Sequence, residues 1–236
     1  METIAIIIAR GGSKGIPGKN LKQIGGVSLV GWSVIHAKKS KLVDRIIINS
    51  DSREILEEGE KYGAEPFLRP KELAEDHVLD WPVFEHCLSE LRKNEGYIPD
   101  YVVHLRPTAP YRAPGWIDQC ILQLKGEPEA DSIRSVSAPN QHPYRVFRIS
   151  DGFLDPIMKT EHPEPYLLRR QDLPNMYFYN CVIDVTKPET IFEKKSMTGS
   201  KILPFVMQPQ DVVDIDTYED FQICETIFAE KMQKTL

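Results

Sequence analysis

Short apolar runs alternate with amphipathic stretches along most of the chain. IAIIIA, residues 4–9, is apolar throughout and rich in β-branched residues, which is typical of a strand buried on both faces of a parallel sheet. The same reasoning predicts further strands at 44–51, 65–70, 100–107, 131–138 and 177–185. Helical periodicity with capping residues predicts helices at 28–40, 53–63, 79–96, 114–126 and 218–234. This alternation predicts an α/β fold with a doubly wound, mostly parallel sheet.

Residues 139–174 interrupt this pattern. They are rich in proline and charge, and their clearest strand-like piece, 144–150, precedes a turn at Asp151-Gly152. We expect a small β-rich excursion from a single domain that spans 1–236. Such an excursion often covers a site or pairs with another subunit.

Composition narrows the class of protein. The chain is 41% hydrophobic and 27% charged, and none of its apolar runs approaches the roughly 18 residues that a membrane span needs. Its four cysteines form no CxxC pair, which favours a reducing, cytoplasmic location over a disulfide scaffold or a zinc site. A formal net charge of −6 argues against a nucleic-acid partner. We therefore expect a cytoplasmic protein that binds neither membrane nor nucleic acid.

The charge is unevenly distributed, however. No acidic residue lies between Thr3 and Val43, whereas seven basic residues do. Three of them, Arg10, Lys14 and Lys19, stand among glycines directly after the first strand, where backbone N–H groups can turn towards an anion. The loop matches neither the Walker GxxxxGK[ST] pattern nor GxGxxG. It predicts a phosphate site; the alternative is a flexible glycine turn with solvated lysines.

A second polar loop follows the strand at 100–107. LRPTAPYR has a backbone restrained by two prolines, and it offers Arg106, Thr108 and Arg112 as donors for carboxylate or phosphate. The alternative is a rigid loop in which either arginine forms a structural salt bridge.

A third group of polar residues, DVVDIDTYED, lies near the end of the chain. In a strand-like VVDID, Asp214 and Asp216 point to the same side and repel unless a cation lies between them, which favours Mg²⁺ bridged to a substrate phosphate. The alternative assigns Asp216 to capping the last helix, with Glu219 in its first turn, and we expect Asp211 and Asp220 to be solvated. The six histidines show no metal-binding or catalytic spacing, and we expect them at the surface or in helices.

Four motifs, in this order, resemble those of the cytidylyltransferases that activate nonulosonic acids, the family of CMP-N-acetylneuraminate synthetase. The motifs are ARGGSKGIPGKN, FLRPKELAEDH, LRPTAPYR and VVDIDTYEDF. The resemblance covers nearly the whole chain and implies a Rossmann-like fold of the nucleotide-diphospho-sugar transferase type. It also implies CTP and a nine-carbon acidic sugar as substrates, Mg²⁺ as cofactor, and a homodimer formed through 139–174.

The resemblance also implies roles for individual residues. Arg10 and Lys19 bind the triphosphate and, with Asp214 and Asp216 as metal ligands, form the catalytic group. The anomeric hydroxyl of the sugar attacks the α-phosphorus in line and pyrophosphate leaves, with no histidine base. The implied nucleotide-binding residues are Ala9, Arg10, Gly12, Ser13, Lys19, Asn20, Arg69 and Asp76. The implied sugar-binding residues are Arg106, Thr108, Tyr179, Asn180 and Arg170, of which Arg170 is presented to the active site of the other subunit.

Two departures from the family pattern concern the sugar. Arg106 stands where sialic-acid members carry glutamine, and residues 178–182 replace their RPNGA. We expect the nucleotide chemistry to be retained with a sugar other than N-acetylneuraminate, such as a legionaminic or pseudaminic acid, whose carboxylate Arg106 contacts. The alternatives are a nucleotidyltransferase for another pair, such as Kdo with CTP or a hexose phosphate with GTP, and a CTP-binding sensor without turnover.

Overall fold

A twisted seven-stranded sheet forms the centre of the molecule. The computed structural model describes residues 1–233. Its strands in chain order are β1 Thr3–Ile8, β2 Gln23–Ile24, β3 Val27–Ser28, β4 Arg45–Ser50, β5 Glu65–Leu68, β6 Tyr101–His104, β7 Ser132–Ser137, β8 Phe147–Ser150, β9 Phe153–Pro156, β10 Phe178–Thr186 and β11 Ile202–Met207. The central sheet has the order β11-β7-β10-β6-β1-β4-β5.

All neighbouring strands of this sheet are parallel except where β10 takes part. β1 lies between β4 and β6, β4 pairs with β5, and β7 pairs with β11, all in parallel. β10 is inserted antiparallel between β6 and β7. The predicted α/β fold with a mostly parallel sheet is therefore confirmed.

Six helices in the described part of the chain connect the strands or pack on them. They are α1 Leu29–Lys39, α2 Arg53–Tyr62, α3 Asp80–Glu95, α4 Trp116–Lys125, α5 Pro188–Phe192 and α6 Tyr218–Gln233. The predicted end signals are used: the Ser28 hydroxyl accepts a hydrogen bond from the N–H of Gly31 at 3.1 Å, and Gly63 ends α2 with φ at 103°. The last residue of the final predicted helix, Lys234, lies outside the described residues.

The core has one apolar layer on each face of the sheet. Strand β1 contributes to both, since Ala5 and Ile7 pack on one side while Ile4 and Ile6 pack on the other, all of them inaccessible to solvent. This two-sided burial explains why IAIIIA shows no polar alternation.

Three elements were not predicted from the sequence. The hairpin of β2 and β3 turns at Gly25 and Gly26, whose φ values are 59° and 79°. Helix α5 is only five residues long. Strand β11 contains Pro204. A proline is tolerated in this strand because β11 is an edge strand, paired only with β7 among the described strands.

The excursion at 139–174 contains the predicted hairpin. Strands β8 and β9 pair antiparallel around Asp151 and Gly152, both with positive φ. Its apolar side chains are largely exposed, with Ile149 at 78% and Phe153 at 77% of their full accessibility. The single-domain organisation and the contact of this segment with a second chain stay predictions.

Membrane insertion through a helix is not supported. In the part of the chain that the structure describes, no helix combines the length and the apolar character that crossing a bilayer requires.

The carboxylate of Asp131, directly before β7, accepts several hydrogen bonds from the segment after α5. Asp131 accepts hydrogen bonds from the N–H groups of Ser200 and Lys201 at 2.8 and 3.0 Å, and from the Lys194 ammonium at 2.5 Å. The Lys194 hydrogen bond, followed by that of the Lys201 N–H, holds the pKa of Asp131 well below its usual range. This carboxylate therefore stabilises the folded state in its ionised form.

We expect Asp131→Asn to lower the free energy of unfolding by about 2 kcal/mol at neutral pH, because an amide replaces a charged acceptor. The stabilisation by Asp131 is present above its unfolded-state pKa of about 3.9 and is lost as pH falls through the lower folded-state value. Denaturant titrations should therefore show the difference narrowing below about pH 4. Glu129→Gln, which removes an exposed partner of Lys201, is the control and should change little. A difference independent of pH would contradict this account.

Candidate active site

The loops that follow four parallel strands meet at one edge of the sheet. They begin with Ala9 after β1, Asp51 after β4, Arg69 after β5 and Leu105 after β6. The loops after β1, β5 and β6 line a cleft of about 480 Å³ at the carboxyl end of the strands, where open α/β sheets bind ligands, and Asp51 supports the first of these loops from outside it. Eleven of the sequence-predicted residues line it: Ala9, Arg10, Ser13, Lys19, Asn20, Arg69, Asp76, Arg106, Thr108 and Asp216, with Lys14 from the basic loop.

The loop after β1 is held in place by its own polar groups. The Asn20 amide donates to the carbonyl of Arg10 at 3.0 Å, and the N–H of Gly11 donates to Asp51 at 3.0 Å. Asn20 is therefore buried as a support for the loop as well as a wall of the cleft. Arg69 lies beneath the same loop, buried, with its guanidinium 4.0 Å from Asp51 and its Nε without a hydrogen-bond partner.

Lys19 joins this loop to the late acidic segment. Its ammonium donates to the carbonyl of Ile215 at 2.7 Å and lies 3.3 Å from an Oδ1 of Asp216. The side chain is only 13% exposed. The alternative of solvated lysines on a flexible turn therefore does not apply to Lys19, which is held by protein acceptors.

An apolar cluster fixes the same two segments. Ile16 of the loop is fully buried against Val213 and Ile215, under helix α6. The backbones also touch: a Cβ on Gly15 would lie 2.6 Å from the carbonyl oxygen of Asp216. Glycine is therefore required at position 15 for this close approach.

The predicted strand at VVDID is wrong, because residues 212–216 pair with no strand of the described chain. The segment is extended, however, and the N–H of Ile215 donates to the carbonyl of Thr108 at 2.9 Å. Val213 and Ile215 are buried while Asp214 and Asp216 are exposed. The expected alternation holds without a ladder, because burial of the two apolar side chains alone orients the two aspartates outwards.

The alternative that assigned the cap of α6 to Asp216 is wrong, and Asp220 makes contacts that the sequence did not predict. Thr217, not Asp216, caps α6: its hydroxyl accepts from the N–H of Asp220 at 3.2 Å. Asp220 is not simply solvated, because it accepts from the N–H groups of Asp216 and Thr217 at 3.1 and 2.8 Å. Glu219 lies in the first turn, as expected. Asp216 is consequently free of capping and faces the cleft.

The environment of the two aspartates favours a cation. Although Asp214 keeps contact with solvent, the protein around it displaces part of its hydration, which raises its pKa; the Thr108 hydroxyl opposes this, and the charge of Asp216 adds to it. Within residues 1–233 no group of three or more His, Cys, Asp or Glu side chains could hold a metal. Two carboxylates with a charge conflict fit a hard divalent cation that takes its other ligands from further oxygen atoms.

Arg106 forms the floor of the cleft and is held by three partners. Its Nη1 donates to Asp184 at 2.6 Å and to the Tyr179 hydroxyl at 3.0 Å, and its Nη2 donates to Asp80 at 2.7 Å. Tyr179 itself hydrogen-bonds to Asp184. Arg134 lies 3.0 Å from Asp184 and supplies the second positive charge, so the cluster is electrically balanced.

A β-bulge in β10 makes this arrangement possible. Tyr179 and Asp184 are five positions apart and would face opposite sides of a regular strand. The pairing of β10 with β7 shifts between these two residues, and Cys181 has φ of 60°. The Ser135 hydroxyl accepts from the N–H groups of Val182 and Ile183, which the bulge removes from the ladder. Both polar side chains therefore reach the guanidinium of Arg106.

Sequence reasoning missed several residues of this floor. Asp80, Arg134 and Asp184 were not singled out, and His104 was expected at the surface or in a helix. His104 instead ends β6, is buried, and lines the cleft with both ring nitrogens unpartnered. Burial, reinforced by the charge of Arg106, lowers its pKa, so the ring is neutral. One usable signal existed: Asp184 is a lone charge in the apolar run CVIDV, which indicates a buried ion pair.

Other predicted residues lie outside the cleft. Asn180 is buried and contacts the sulfur of Met207 at 3.7 Å, so its side chain points into the sheet. Gly12 lines an adjoining cavity. Arg170 is exposed on the excursion. Arg112 is buried and donates to the carbonyls of Val182 and Arg106, so its role is structural through hydrogen bonds to the backbone. The ion pairs expected of the structural alternative are instead those of Arg106 with Asp80 and Asp184.

The fold and the cleft define a nucleotide-binding α/β protein with an anion-binding loop facing an aspartate pair. A family model described as Cytidylyltransferase matches residues 4–199, and the chain belongs to this family. Members of this kind generally use a divalent metal.

Relatives and solved structures agree with this assignment. The chain is 31% identical to the CMP-N,N'-diacetyllegionaminic acid synthase of Campylobacter jejuni, over 98% of this chain and 96% of that one. It is 28% identical to the pseudaminic acid cytidylyltransferase of Campylobacter jejuni, over 97% of both chains. The fold is similar to CMP:2-keto-3-deoxy-manno-octonic acid synthetase complexed with CTP, with a TM-score of 0.72 and 15% identity over 98% of this chain and 100% of that one.

Gly15→Ala tests the close contact between the loop and the acidic segment. The new methyl group would meet a backbone oxygen that cannot move aside freely, so we expect a loss of about 1–3 kcal/mol in the free energy of unfolding. Chemical denaturation measures this. Gly126→Ala is the matched control, because its φ is −71° and its Cβ would have ordinary contacts at 3.5 Å. Equal stability of the two variants would contradict the proposed contact.

Proposed function

We propose that the protein transfers CMP from CTP to the anomeric hydroxyl of a nonulosonic acid and releases pyrophosphate. The observation that carries this proposal is the bond from Lys19 to Ile215 and Asp216, which brings the anion-binding loop against the segment that carries both aspartates, of which Asp216 lines the cleft. Phosphoryl chemistry needs both: cations for a triphosphate and carboxylates for a metal. The family match and the names of the relatives support CTP and a nonulosonic acid as substrates.

The nucleotide has a defined place in this proposal. Arg10 and Lys19 bind oxygens of the triphosphate, and their positive charge stabilises the charge that develops as pyrophosphate leaves. Ser13 and Asn20 orient the nucleotide in the loop, with Ala9 and Gly12 allowing close backbone approach. Arg69, which is buried and has an unpartnered Nε facing no protein acceptor, supplies a further donor.

Asp214 and Asp216 are the proposed ligands of Mg²⁺. When bound, the ion would neutralise phosphate charge and lower the pKa of the attacking hydroxyl. The protein's own contribution is to keep the two carboxylates together: Thr108 fixes the Asp214 segment through both its carbonyl and its hydroxyl, and Lys19 offsets part of the negative charge. In-line attack by the anomeric oxygen on the α-phosphorus then breaks the bond to pyrophosphate.

Arg106 is the proposed receptor for the sugar carboxylate. Within residues 1–233 it donates to protein groups through Nη1 and Nη2, which leaves its Nε–H for a ligand in the cleft that it lines. A guanidinium held by Asp80 and Asp184 is already oriented and loses little freedom on binding. Thr108 supplies a hydroxyl beside it. Tyr179 serves as a support for Arg106, and Asn180, which is buried in the sheet, as a support for the bulge.

A homodimer is part of the proposal. On the hairpin of β8 and β9, the exposed side chains Ile149 and Leu154 are paired on one face and exposed Phe153 lies on the other, and a partner chain would cover such apolar groups. Arg170 lies on the same excursion, outside the cleft of its own chain, and is the residue proposed to reach the cleft of the second subunit.

The deciding experiment measures pyrophosphate release with Mg²⁺ for CTP, GTP, ATP and UTP against legionaminic, pseudaminic and neuraminic acids, Kdo and hexose phosphates. We expect release with CTP and a nine-carbon acid, and with a legionaminic or pseudaminic acid before N-acetylneuraminate. Release only with Kdo or with GTP and a hexose phosphate would overturn the substrate assignment. Binding of CTP without release with any acceptor would support the sensor alternative.

Asp214→Asn adds a test of the metal site. If the carboxylate serves catalysis, the variant loses about 100-fold or more in kcat while CTP binding in the absence of metal is retained. Asp211→Asn, on the same segment but outside the cleft, is the control. Unchanged kcat in Asp214→Asn would remove the aspartate pair from the mechanism.

Arg106→Gln restores the residue of the sialic-acid members. Loss of a charged donor to a carboxylate should raise KM for the sugar about 10- to 100-fold and leave KM for CTP within about twofold. Arg106→Lys keeps the positive charge but loses the planar guanidinium. Its KM for the sugar should lie between those of the natural chain and Arg106→Gln. Equal effects on both KM values would show that Arg106 only supports the fold.

A further inference from the structure

The segment that follows Arg69, residues 71–79, is held to the nucleotide loop by one side chain. We name this segment the strap. The Asp76 carboxylate lies 2.6 Å from Nη1 of Arg10 and also contacts the ammonium of Lys14. Both cations belong to the loop that the proposed function assigns to the triphosphate. An internal carboxylate therefore occupies the place between them that phosphate oxygens would take.

The backbone of the strap adds no anchor to the nucleotide loop within residues 1–233. Among the described residues, its backbone hydrogen bonds outside regular elements are local, from Leu73 to Pro70 and from Val78 to Glu75. Lys14 and Asp76 are 76% and 48% exposed, and ion pairs with this exposure are weak and readily exchanged. A ligand with several negative charges can displace the carboxylate at small cost.

The ion pairs also divide the available space. The cleft of about 480 Å³ and a second cavity of about 590 Å³ both border them. The two cavities share six lining residues, Arg10, Ser13, Lys14, Ala74, Glu75 and Asp76. Separation of Asp76 from the loop would join these cavities into a site with room for a triphosphate chain as well as a sugar.

We propose that Asp76 is a competing internal anion that must leave Arg10 and Lys14 before the triphosphate binds, so that it sets the affinity of the loop for polyphosphates. The proposal rests on the proposed function for the identity of the natural ligand, and it differs from the role implied by family resemblance, in which Asp76 contacts the nucleotide. Lys14, followed by Arg10, lowers the pKa of Asp76, which keeps the carboxylate ionised at neutral pH.

The two roles of Asp76 predict opposite results. Asp76→Asn removes the competing charge, so the Kd for CTP and for inorganic tripolyphosphate should fall by about 3- to 10-fold, the amount that two surface ion pairs can contribute. The Kd for cytidine, which has no phosphate, should not change. Raising the salt concentration should shrink the difference between the variant and the natural chain.

Isothermal titration without an acceptor sugar measures these constants on the full chain. Glu72→Gln is the matched control, since it makes the same change in net charge on the same strap at an exposed side chain outside the cleft. Weaker binding of CTP and cytidine by Asp76→Asn, or unchanged binding of tripolyphosphate, would overturn the proposal. If the natural chain binds tripolyphosphate but not CTP, the proposed function fails. The role of Asp76 is then still tested by the Kd for tripolyphosphate, compared between Asp76→Asn and the natural chain.

Discussion

The bond from Lys19 to the carbonyl of Ile215 is the contact on which the site depends. It joins two segments that are 196 positions apart in the chain, the loop after the first strand and the extended segment before the last helix. Burial of Ile16 against Ile215 supplies the apolar part of the same junction, and the absence of a side chain at Gly15 lets the two backbones touch. Because a buried ammonium needs acceptors, the lysine fixes both the shape of the loop and the position of Asp216.

Charge balance governs the floor of the cleft in the same way. Two guanidiniums, Arg106 and Arg134, face two carboxylates, Asp80 and Asp184, while the buried His104 stays neutral. Removing one partner would leave an uncompensated charge in a poorly solvated place, so each member constrains the others. The mouth of the cleft, where Asp76 pairs with Arg10 and Lys14, differs from the floor because these ion pairs are exposed to solvent and exchange readily. A rigid floor and a labile mouth suit a site whose acceptor must be oriented while its nucleotide enters and leaves.

Local signals in the sequence account for most of the fold and for the outline of the site. The apolar run before Ala9, the cap at Ser28 and the glycine after α2 each predict an element, because their physical causes lie within a few residues. The basic loop and the aspartate pair were likewise predicted from residue type and spacing. Long-range causes were not visible: Pro204 is acceptable only because β11 is an edge strand, and the extended shape of VVDID depends on packing rather than on a ladder. The association of Tyr179 with Asp184 needs a bulge that no local pattern announces.

The reversed direction of β10 has a consequence for how the excursion is connected to the cleft. Strand β7 reaches the cleft edge at Ser137, and β10 starts from that edge at Phe178, so the intervening excursion leaves and re-enters the fold at the rim of the cleft. Its return end continues directly into Tyr179, which contacts Arg106. The return end of the excursion therefore lies beside the support of Arg106 in the chain, on the same side of the sheet edge as the cleft. In terms of connectivity, a change in the path of the excursion would reach the side chain that supports Arg106 through one continuous stretch of backbone.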